Sequence, residues 1–139
     1  MDSSEYFVDA TFQKCDARAY LYGATHQGFF ESLFPTFSRL GLRLSPHGFM
    51  CAAIRRKAEE IKSKIGLKPE YNGKIPLYVT GHSLGGALAA LFYARLRKGH
   101  DLDDICDVRD AYTFGCPGVG DTDFAMGYAR YISLHCEND

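Results

Sequence analysis

A serine between two glycines is the strongest candidate for chemistry in this chain of 139 residues. Residues 81–85 read Gly-His-Ser-Leu-Gly, which has the spacing Gly-x-Ser-x-Gly. A serine on a sharp turn from a strand into a helix exposes its hydroxyl, which can then attack a carbonyl carbon. The helix dipole and the N–H of Leu84 favour negative charge at the same point. The pattern therefore predicts Ser83 as the nucleophile of an acyl transfer.

The residues on either side of the motif have the composition of a strand and a helix. Residues 77–80 are apolar, β-branched or aromatic, and residues 87–96 are rich in Ala and Leu. At such a corner Gly81 and Gly85 would pass close to other backbone, whereas His82 would point into the protein beside the strand. The alternative is a glycine-rich turn between a strand and a helix that has no catalytic role.

A serine nucleophile needs a histidine as base and an acid that orients this histidine. In a parallel sheet with helices the order along the chain is Ser, then Asp or Glu, then His. Asp139 is the favoured acid, because it follows the predicted last strand; Asp121 and Asp123 compete, but they lie near a helix start, where capping is the ordinary role. The expected histidine after Asp139 is missing. The histidines of the chain all precede it: His26, His47, His82, His100 and His135.

Strands and helices alternate along the chain, which predicts an α/β fold with a mostly parallel sheet and helices on both faces. Reactive groups then collect beyond the carboxyl ends of the strands, where Ser83, Asp139 and the loop 115–120 fall. His26 follows an earlier strand and is a candidate to line the same site. A helix is predicted from Ser45-Pro46 to Gly66, and its apolar face consists of Met50, Ile54, Ala58, Ile61 and Ile65. The other predicted elements are a short segment at 6–8, a strand at 19–24, a helix to about residue 34, a linker at 68–74, a strand at 108–114, a helix at 121–128 and a strand at 130–135.

Composition excludes several classes of protein. The chain is 46% hydrophobic and carries a formal charge of -1, which indicates one globular domain over residues 1–139 and no general attraction for nucleic acid. No apolar stretch is long enough to span a membrane, and residues 1–5 do not resemble a secretion signal, so the compartment is not indicated. Five widely spaced cysteines without a C-x-x-C pair argue against a disulfide framework and a zinc site, and no cofactor is expected.

Four segments together resemble the class 3 (fungal-type) lipases of the α/β-hydrolase superfamily. They are His-Gln-Gly-Phe at 26–29, Val-Thr-Gly-His-Ser-Leu-Gly-Gly-Ala at 79–87, Tyr-Thr-Phe-Gly-Cys-Pro-Gly-Val-Gly-Asp at 112–121 and Glu-Asn-Asp at 137–139. The resemblance implies hydrolysis of triacylglycerol or a related lipid ester, with a lipid interface as a further partner. It implies Ser83 as nucleophile, Asp139 as triad acid and the Leu84 N–H as one oxyanion donor.

The chain departs from the family pattern in ways that affect the expected activity. Gly118 stands where the family usually has arginine, Cys116 is an unusual residue in its loop, and nothing in residues 1–24 matches the strand that supplies the second oxyanion donor. With the histidine also missing, we expect a truncated domain with weak or no activity. Two alternatives remain: a non-catalytic relic that binds acyl chains or a protein, and a thioesterase or peptidase that uses the same turn.

Overall fold

The structure, a computed structural model, describes residues 13–35, 45–65 and 73–136, the last six of these as backbone only. The elements in chain order are β1 (Lys14–Asp16), β2 (Ala24–His26), α1 (Gln27–Leu33), α2 (Pro46–Ile65), β3 (Ile75–His82), α3 (Leu84–Gly99), β4 (Cys106–Phe114) and α4 (Thr122–Cys136). The predicted segment at 6–8, Gly66 and most of the linker lie outside the described residues, as does Asp139.

The centre of the fold is a strand–helix–strand unit. Strands β3 and β4 pair in parallel, from Ile75 opposite Cys106 to His82 opposite Phe114, and α3 connects them and packs against both. The parallel pairing and the helix confirm the predicted α/β class. Because both strands run in the same direction, Ser83 and the loop after β4 meet at the same edge of the sheet.

Helix α3 is the most buried element, as its Ala- and Leu-rich sequence predicts. Its buried residues include Leu91, Tyr93 and Leu96, each at most 2% exposed. The Tyr93 hydroxyl donates a hydrogen bond of 3.0 Å to the backbone oxygen of Arg109 in β4. This bond satisfies the one polar group of a buried ring and fixes the helix to the strand.

The two faces of the β3–β4 sheet differ in burial. Side chains at odd positions of β3 are partly buried, with Ile75, Leu77 and Val79 against the core, whereas those at even positions are exposed. Tyr78, Tyr112 and Phe114 are 56%, 51% and 61% exposed, and the two tyrosine rings stack at 6.3 Å. We call these three residues the aromatic face. Among the described residues, no element covers it.

The predicted strand at 19–24 is wrong. Strands β1 and β2 pair antiparallel, and the segment between them is a turn closed by hydrogen bonds from Ala17 N–H to the Gly23 oxygen (3.1 Å) and from Leu21 N–H to the Ala17 oxygen (2.7 Å). Leu21 is fully buried, so its apolar side chain anchors a turn in the core. The apolar and aromatic residues at 19–24 therefore serve core packing and do not form a strand.

Helix α2 begins as predicted, but its buried face is rotated. The Ser45 hydroxyl accepts a 3.1 Å hydrogen bond from the Gly48 N–H, which is an N-cap contact. His47 and Ala58 are buried, whereas Met50 is 41% exposed and Ile65 is 49% exposed. The five-residue apolar face was thus only partly correct, because a histidine occupies the inward position on the first turn.

The predicted strand at 130–135 is also wrong, since α4 continues as a helix to Cys136. The Asp121 side chain accepts a 2.9 Å hydrogen bond from the Phe124 N–H and caps the helix start. The glycine at position 127 does not break the helix. A Cβ there would lie 2.4 Å from the Cβ of Tyr22, so this glycine permits close packing. A segment of six residues was too short a signal to distinguish a strand from a helix.

Candidate active site

Ser83 lies at the turn between β3 and α3 with a strained backbone. Its φ is 53° and its ψ is -123°, a backbone conformation that residues other than glycine rarely adopt. The Ser83 N–H donates to the Phe114 oxygen at 2.8 Å, and the Ser83 oxygen accepts from the Gly86 N–H at 2.9 Å. These hydrogen bonds hold the strained residue between the end of β4 and the start of α3. Such strain persists only where the surroundings enforce it, and it is typical of functional sites.

The two motif glycines have different roles. A Cβ on Gly81 would lie 2.2 Å from the backbone oxygen of Gly85, so only glycine fits at position 81. A Cβ on Gly85 would have no neighbour within 4 Å. The expectation of a close backbone approach was right for Gly81 and wrong for the space around the Cα of Gly85. The close approach is between the Cα of Gly81 and the carbonyl group of Gly85.

Gly86 is a site residue whose role the sequence reasoning missed. A Cβ on Gly86 would lie 3.1 Å from the Cβ of Cys116, so the loop after β4 packs directly on the first turn of α3. The Cys116 thiol donates to the Pro117 oxygen at 3.2 Å, and burial raises the pKa of this thiol. The second glycine of the Gly-Gly pair in residues 85–86 was the available signal.

Leu84 is the first residue of α3, and its side chain is 49% exposed. The N–H groups in the first turn of a helix have no acceptor within that helix, and they carry the positive end of its dipole. The Leu84 N–H therefore lies where an oxyanion could be bound beside the Ser83 hydroxyl. Its use as an oxyanion donor remains a prediction.

His82 does not point into the protein, contrary to the sequence prediction. It is exposed and continues the outward positions of β3. A Cβ on Gly115, which has a φ of 57°, would lie 3.8 Å from the His82 Nε2 atom. The strict alternation of a strand fixes this direction, since Gly81 occupies the inward position next to it.

His26 lies next to the loop that follows β4. The backbone N–H of His26 donates to the backbone oxygen of Val119 at 2.9 Å, and Thr25 forms a β-bridge with Gly120. The ring of His26 stacks on the ring of Phe29 at 4.4 Å. Since Cys116 of the same loop packs on Gly86, this loop connects His26 to the nucleophile turn. A role of His26 in lining the site is compatible with this placement and remains a prediction.

The acid and the base of a triad are not assembled by the described residues. Asp139 lies outside them, and it follows a helix where the sequence analysis expected a strand. Asp121 caps α4, and Asp123 contacts the Arg18 side chain at 3.4 Å.

His47 is buried with its Nε2 atom 3.0 Å from Asp101, at the far end of α3 from Ser83. Among the described side chains, which end at residue 130, His47, Cys51 and Asp101 are also the one cluster that could hold a metal ion.

In the described part of the chain, the free cysteines are Cys15, Cys51, Cys106 and Cys116. No helix in the described ranges is both long and apolar enough to cross a lipid bilayer.

Strand β3, the strained Ser83 and helix α3 form a strand–turn–helix corner, and the parallel strand–helix–strand unit is consistent with part of an α/β-hydrolase fold. The family model for Lipase (class 3) matches residues 2–139. The chain therefore belongs to the class 3 lipase family, as the four sequence segments indicated.

The chain is similar to several known lipases. Triacylglycerol lipase OBL1 of Nicotiana tabacum is 39% identical over 80 residues, which are 56% of this chain and 13% of that protein. Secreted mono- and diacylglycerol lipase 1 of Fusarium solani is 40% identical over 78 residues, 56% of this chain and 21% of that protein. The crystal structure of a lipase from Rhizopus microsporus var. chinensis matches 96% of this chain and 38% of its own, with 24% identity and a TM-score of 0.50, which supports the fold. The chain spans between 11% and 21% of the length of the curated relatives that it matches.

Proposed function

We propose that this chain is the nucleophile-bearing part of a serine ester hydrolase that acts on triacylglycerol or a related lipid ester. In this proposal the side-chain oxygen (Oγ) of Ser83 attacks the ester carbonyl carbon and the alcohol leaves. Water later releases the acid from the serine. The supporting observation is the strained backbone of Ser83 at the β3–α3 corner. The names of the relatives, a triacylglycerol lipase and a mono- and diacylglycerol lipase, support the substrate class.

The proposal separates acylation of Ser83 from turnover. The described residues do not bring a histidine base and its carboxylate together at Ser83, and loss of the base costs a factor of about 10⁶ in kcat in a well-studied serine hydrolase. We therefore expect a reactive phosphonate, which forms a covalent bond with the serine without needing turnover, to label the protein slowly. We expect hydrolysis of p-nitrophenyl butyrate to be barely above the rate without protein.

Ser83→Ala tests the assignment of the nucleophile, with Ser63→Ala as the matched control. Ser63 is an exposed serine of α2 whose hydroxyl donates to the Glu60 oxygen, so its loss should leave the turn intact. Mass spectrometry should find the phosphonate adduct on Ser83 in the parent protein and in Ser63→Ala, and no adduct in Ser83→Ala. Equal labelling of all three proteins would contradict the proposal. Brisk ester hydrolysis that disappears in Ser83→Ala would instead refute the expectation that turnover is weak.

A second function, binding without catalysis, is favoured by the aromatic face. Three aromatic side chains that are each more than half exposed on one sheet face can bind an acyl chain or a partner protein. A fluorescent fatty acid that binds equally to the parent protein and to Ser83→Ala, together with absent phosphonate labelling, would support this function over hydrolysis. Binding that requires Ser83 would argue against it.

A further inference from the structure

Three side chains that can bind metal ions converge at the end of α3 opposite Ser83. His47 and Cys51 lie four residues apart on α2, so both project from the same face of that helix, and Asp101 follows α3. The His47 Nε2 atom is 3.0 Å from the Asp101 Oδ2 atom and 3.5 Å from the Cys51 Sγ atom. One ligand atom from each residue lies within 4.8 Å of the other two. Helix α3 has 16 residues and is therefore about 24 Å long, which separates this cluster from the nucleophile.

The imidazole of His47 is held in a fixed position. The side chain is 2% exposed, and its ring lies between the rings of Phe34 and Phe92 at 5.2 and 5.3 Å. Its Nδ1 atom is buried without a hydrogen-bond partner among the described residues. Its Nε2 atom faces Asp101 and Cys51.

The geometry excludes a thiol–imidazole–carboxylate relay. In such a relay the nucleophile contacts one ring nitrogen and the carboxylate contacts the other. Here the Cys51 Sγ and the Asp101 Oδ2 both lie next to Nε2 of His47. Two groups that converge on one nitrogen are arranged like ligands around a common centre.

The carboxylate of Asp101 is oriented by an arginine. The Arg95 Nε atom donates to Asp101 Oδ2 at 2.9 Å and its Nη2 atom donates to Oδ1 at 3.1 Å. A hydrogen-bonded partner behind a carboxylate ligand is typical of metal sites. The other nearby arginine, Arg55, is paired with Asp104 at 2.5 and 3.0 Å, so its charge is offset. The cluster opens on a pocket that is also lined by Gly48 and Ala52, through which an ion can enter.

We propose that His47, Cys51 and Asp101 bind one divalent metal ion of the zinc class. Nitrogen, sulfur and carboxylate oxygen are the donors that zinc takes in proteins, at about 2.0–2.3 Å, whereas calcium takes oxygen donors alone. On binding, the Cys51 thiol releases its proton to solvent and becomes a thiolate, and the imidazole coordinates through Nε2 with its proton on Nδ1. Water from the pocket occupies the fourth position. The ion would clamp the first turns of α2 to the end of the helix that begins after Ser83.

The proposed site contains no C-x-x-C pair, so local cysteine spacing does not reveal it. Two of its ligands lie on one helix at a spacing of four, and the third is fifty positions further along the chain. Only the tertiary contact of α2 with the turn after α3 brings them together. The prediction that the chain has no zinc site depended on local spacing alone.

Cobalt(II) is a direct probe of the proposed site, because thiolate coordination gives it a ligand-to-metal charge-transfer band. Protein freed of metal by a chelator should bind one Co²⁺ per chain with this band, and Zn²⁺ should displace it. Cys51→Ser should abolish the band and weaken binding by at least about tenfold, the lower limit seen when even outer partners of metal ligands are lost. Cys15→Ser, a half-buried thiol on β1, is the matched control and should bind like the parent protein.

A second measurement uses the unaltered protein and does not depend on the folding of a variant. Zn²⁺ should slow the reaction of Cys51 with a maleimide, read by peptide mass spectrometry, without protecting Cys15, and a chelator should reverse the effect. Binding that persists in Cys51→Ser, or equal reactivity of Cys51 with and without Zn²⁺, would overturn the proposal. Absence of any charge-transfer band in the parent protein would do the same.

Discussion

The space around the Cα of Gly81 is occupied by the backbone at residue 85. An added Cβ would lie 2.2 Å from the Gly85 oxygen and 2.5 Å from its carbonyl carbon, distances at which the backbone must move. The backbone at this point holds the strained φ of Ser83, so the conformation of Ser83 depends on the glycine two residues before it. The Cα of Gly85 faces open space, and it lies in the first turn of α3.

Gly81→Ala should therefore destabilise the protein strongly, while Gly85→Ala should not. We expect the first substitution to lower the free energy of unfolding by about 3 kcal/mol, at the upper end for single substitutions. Gly85→Ala should leave this free energy unchanged or raise it by up to about 1 kcal/mol, because alanine is the better helix former. Urea denaturation followed by circular dichroism measures both values. Similar losses for the two variants would mean that the close approach at Gly81 does not constrain the turn.

At the scale of single elements, the start of α4 shows how one carboxylate fixes a helix boundary. Asp121 directly precedes the helix and accepts the Phe124 N–H at 2.9 Å. This hydrogen bond lowers the pKa of Asp121 below the usual carboxyl value. A carboxyl group with a lowered pKa in the folded state contributes stability above its unfolded pKa, and this stability is lost as the pH falls through the folded pKa.

Asp121→Asn separates the charge from the cap, since asparagine is also a good N-cap residue. We expect the melting temperature of the variant to fall below that of the parent protein at neutral pH, and the difference to shrink towards zero in acid below the ordinary carboxyl pKa. Thermal melts across this pH range test the expectation. Asp123→Asn is the control, because that carboxylate contacts the Arg18 side chain and does not cap the helix through the Phe124 N–H. A pH-independent difference for Asp121→Asn would contradict the assignment.

The elements that were predicted correctly are those with a strong local signal. The Ser45-Pro46 helix start and the glycine-flanked turn at Ser83 are each determined by residues within a few positions of each other. The strands predicted at 19–24 and 130–135 were wrong because a short segment with several apolar residues also suits a buried turn or a helix. In both places the deciding contact is distant in sequence: Gly23 packs against the start of α4, and Gly127 packs against Tyr22.

At the scale of the whole molecule, burial could not be predicted from patterns within one element. Strand alternation directs His82 outward, and its exposure follows from the absence of a covering element on that side of the described sheet. The inward position of His47 follows from its contacts with Phe34, Phe92 and Asp101, which belong to three other segments. Local spacing determines which residues share a face, whereas tertiary packing determines which face is covered.

The aromatic face bears on whether the protein associates with itself in solution. Phe114 and Tyr78 are more than half exposed on strands whose outer face carries no helix in the described part of the chain. Exposed apolar sheet surface favours association between copies, since it removes apolar area from water. The protein should therefore self-associate at rising concentration, and the association should depend on this face and not on exposed apolar residues in general.

Phe114→Ser tests this dependence against Phe49→Ser, because both phenylalanines are 61% exposed and Phe49 lies on α2. Phe114→Ser removes an exposed ring but retains the backbone oxygen that accepts the Ser83 N–H, so the turn should persist. We expect light scattering to show a fall in mean mass for Phe114→Ser at concentrations where the parent protein and Phe49→Ser still associate. High salt should not dissolve the assemblies, since screening acts on charges and not on apolar contact. An equal fall in both variants would mean that apolar exposure anywhere on the surface drives association, and an unchanged mass in Phe114→Ser would remove the aromatic face as its cause.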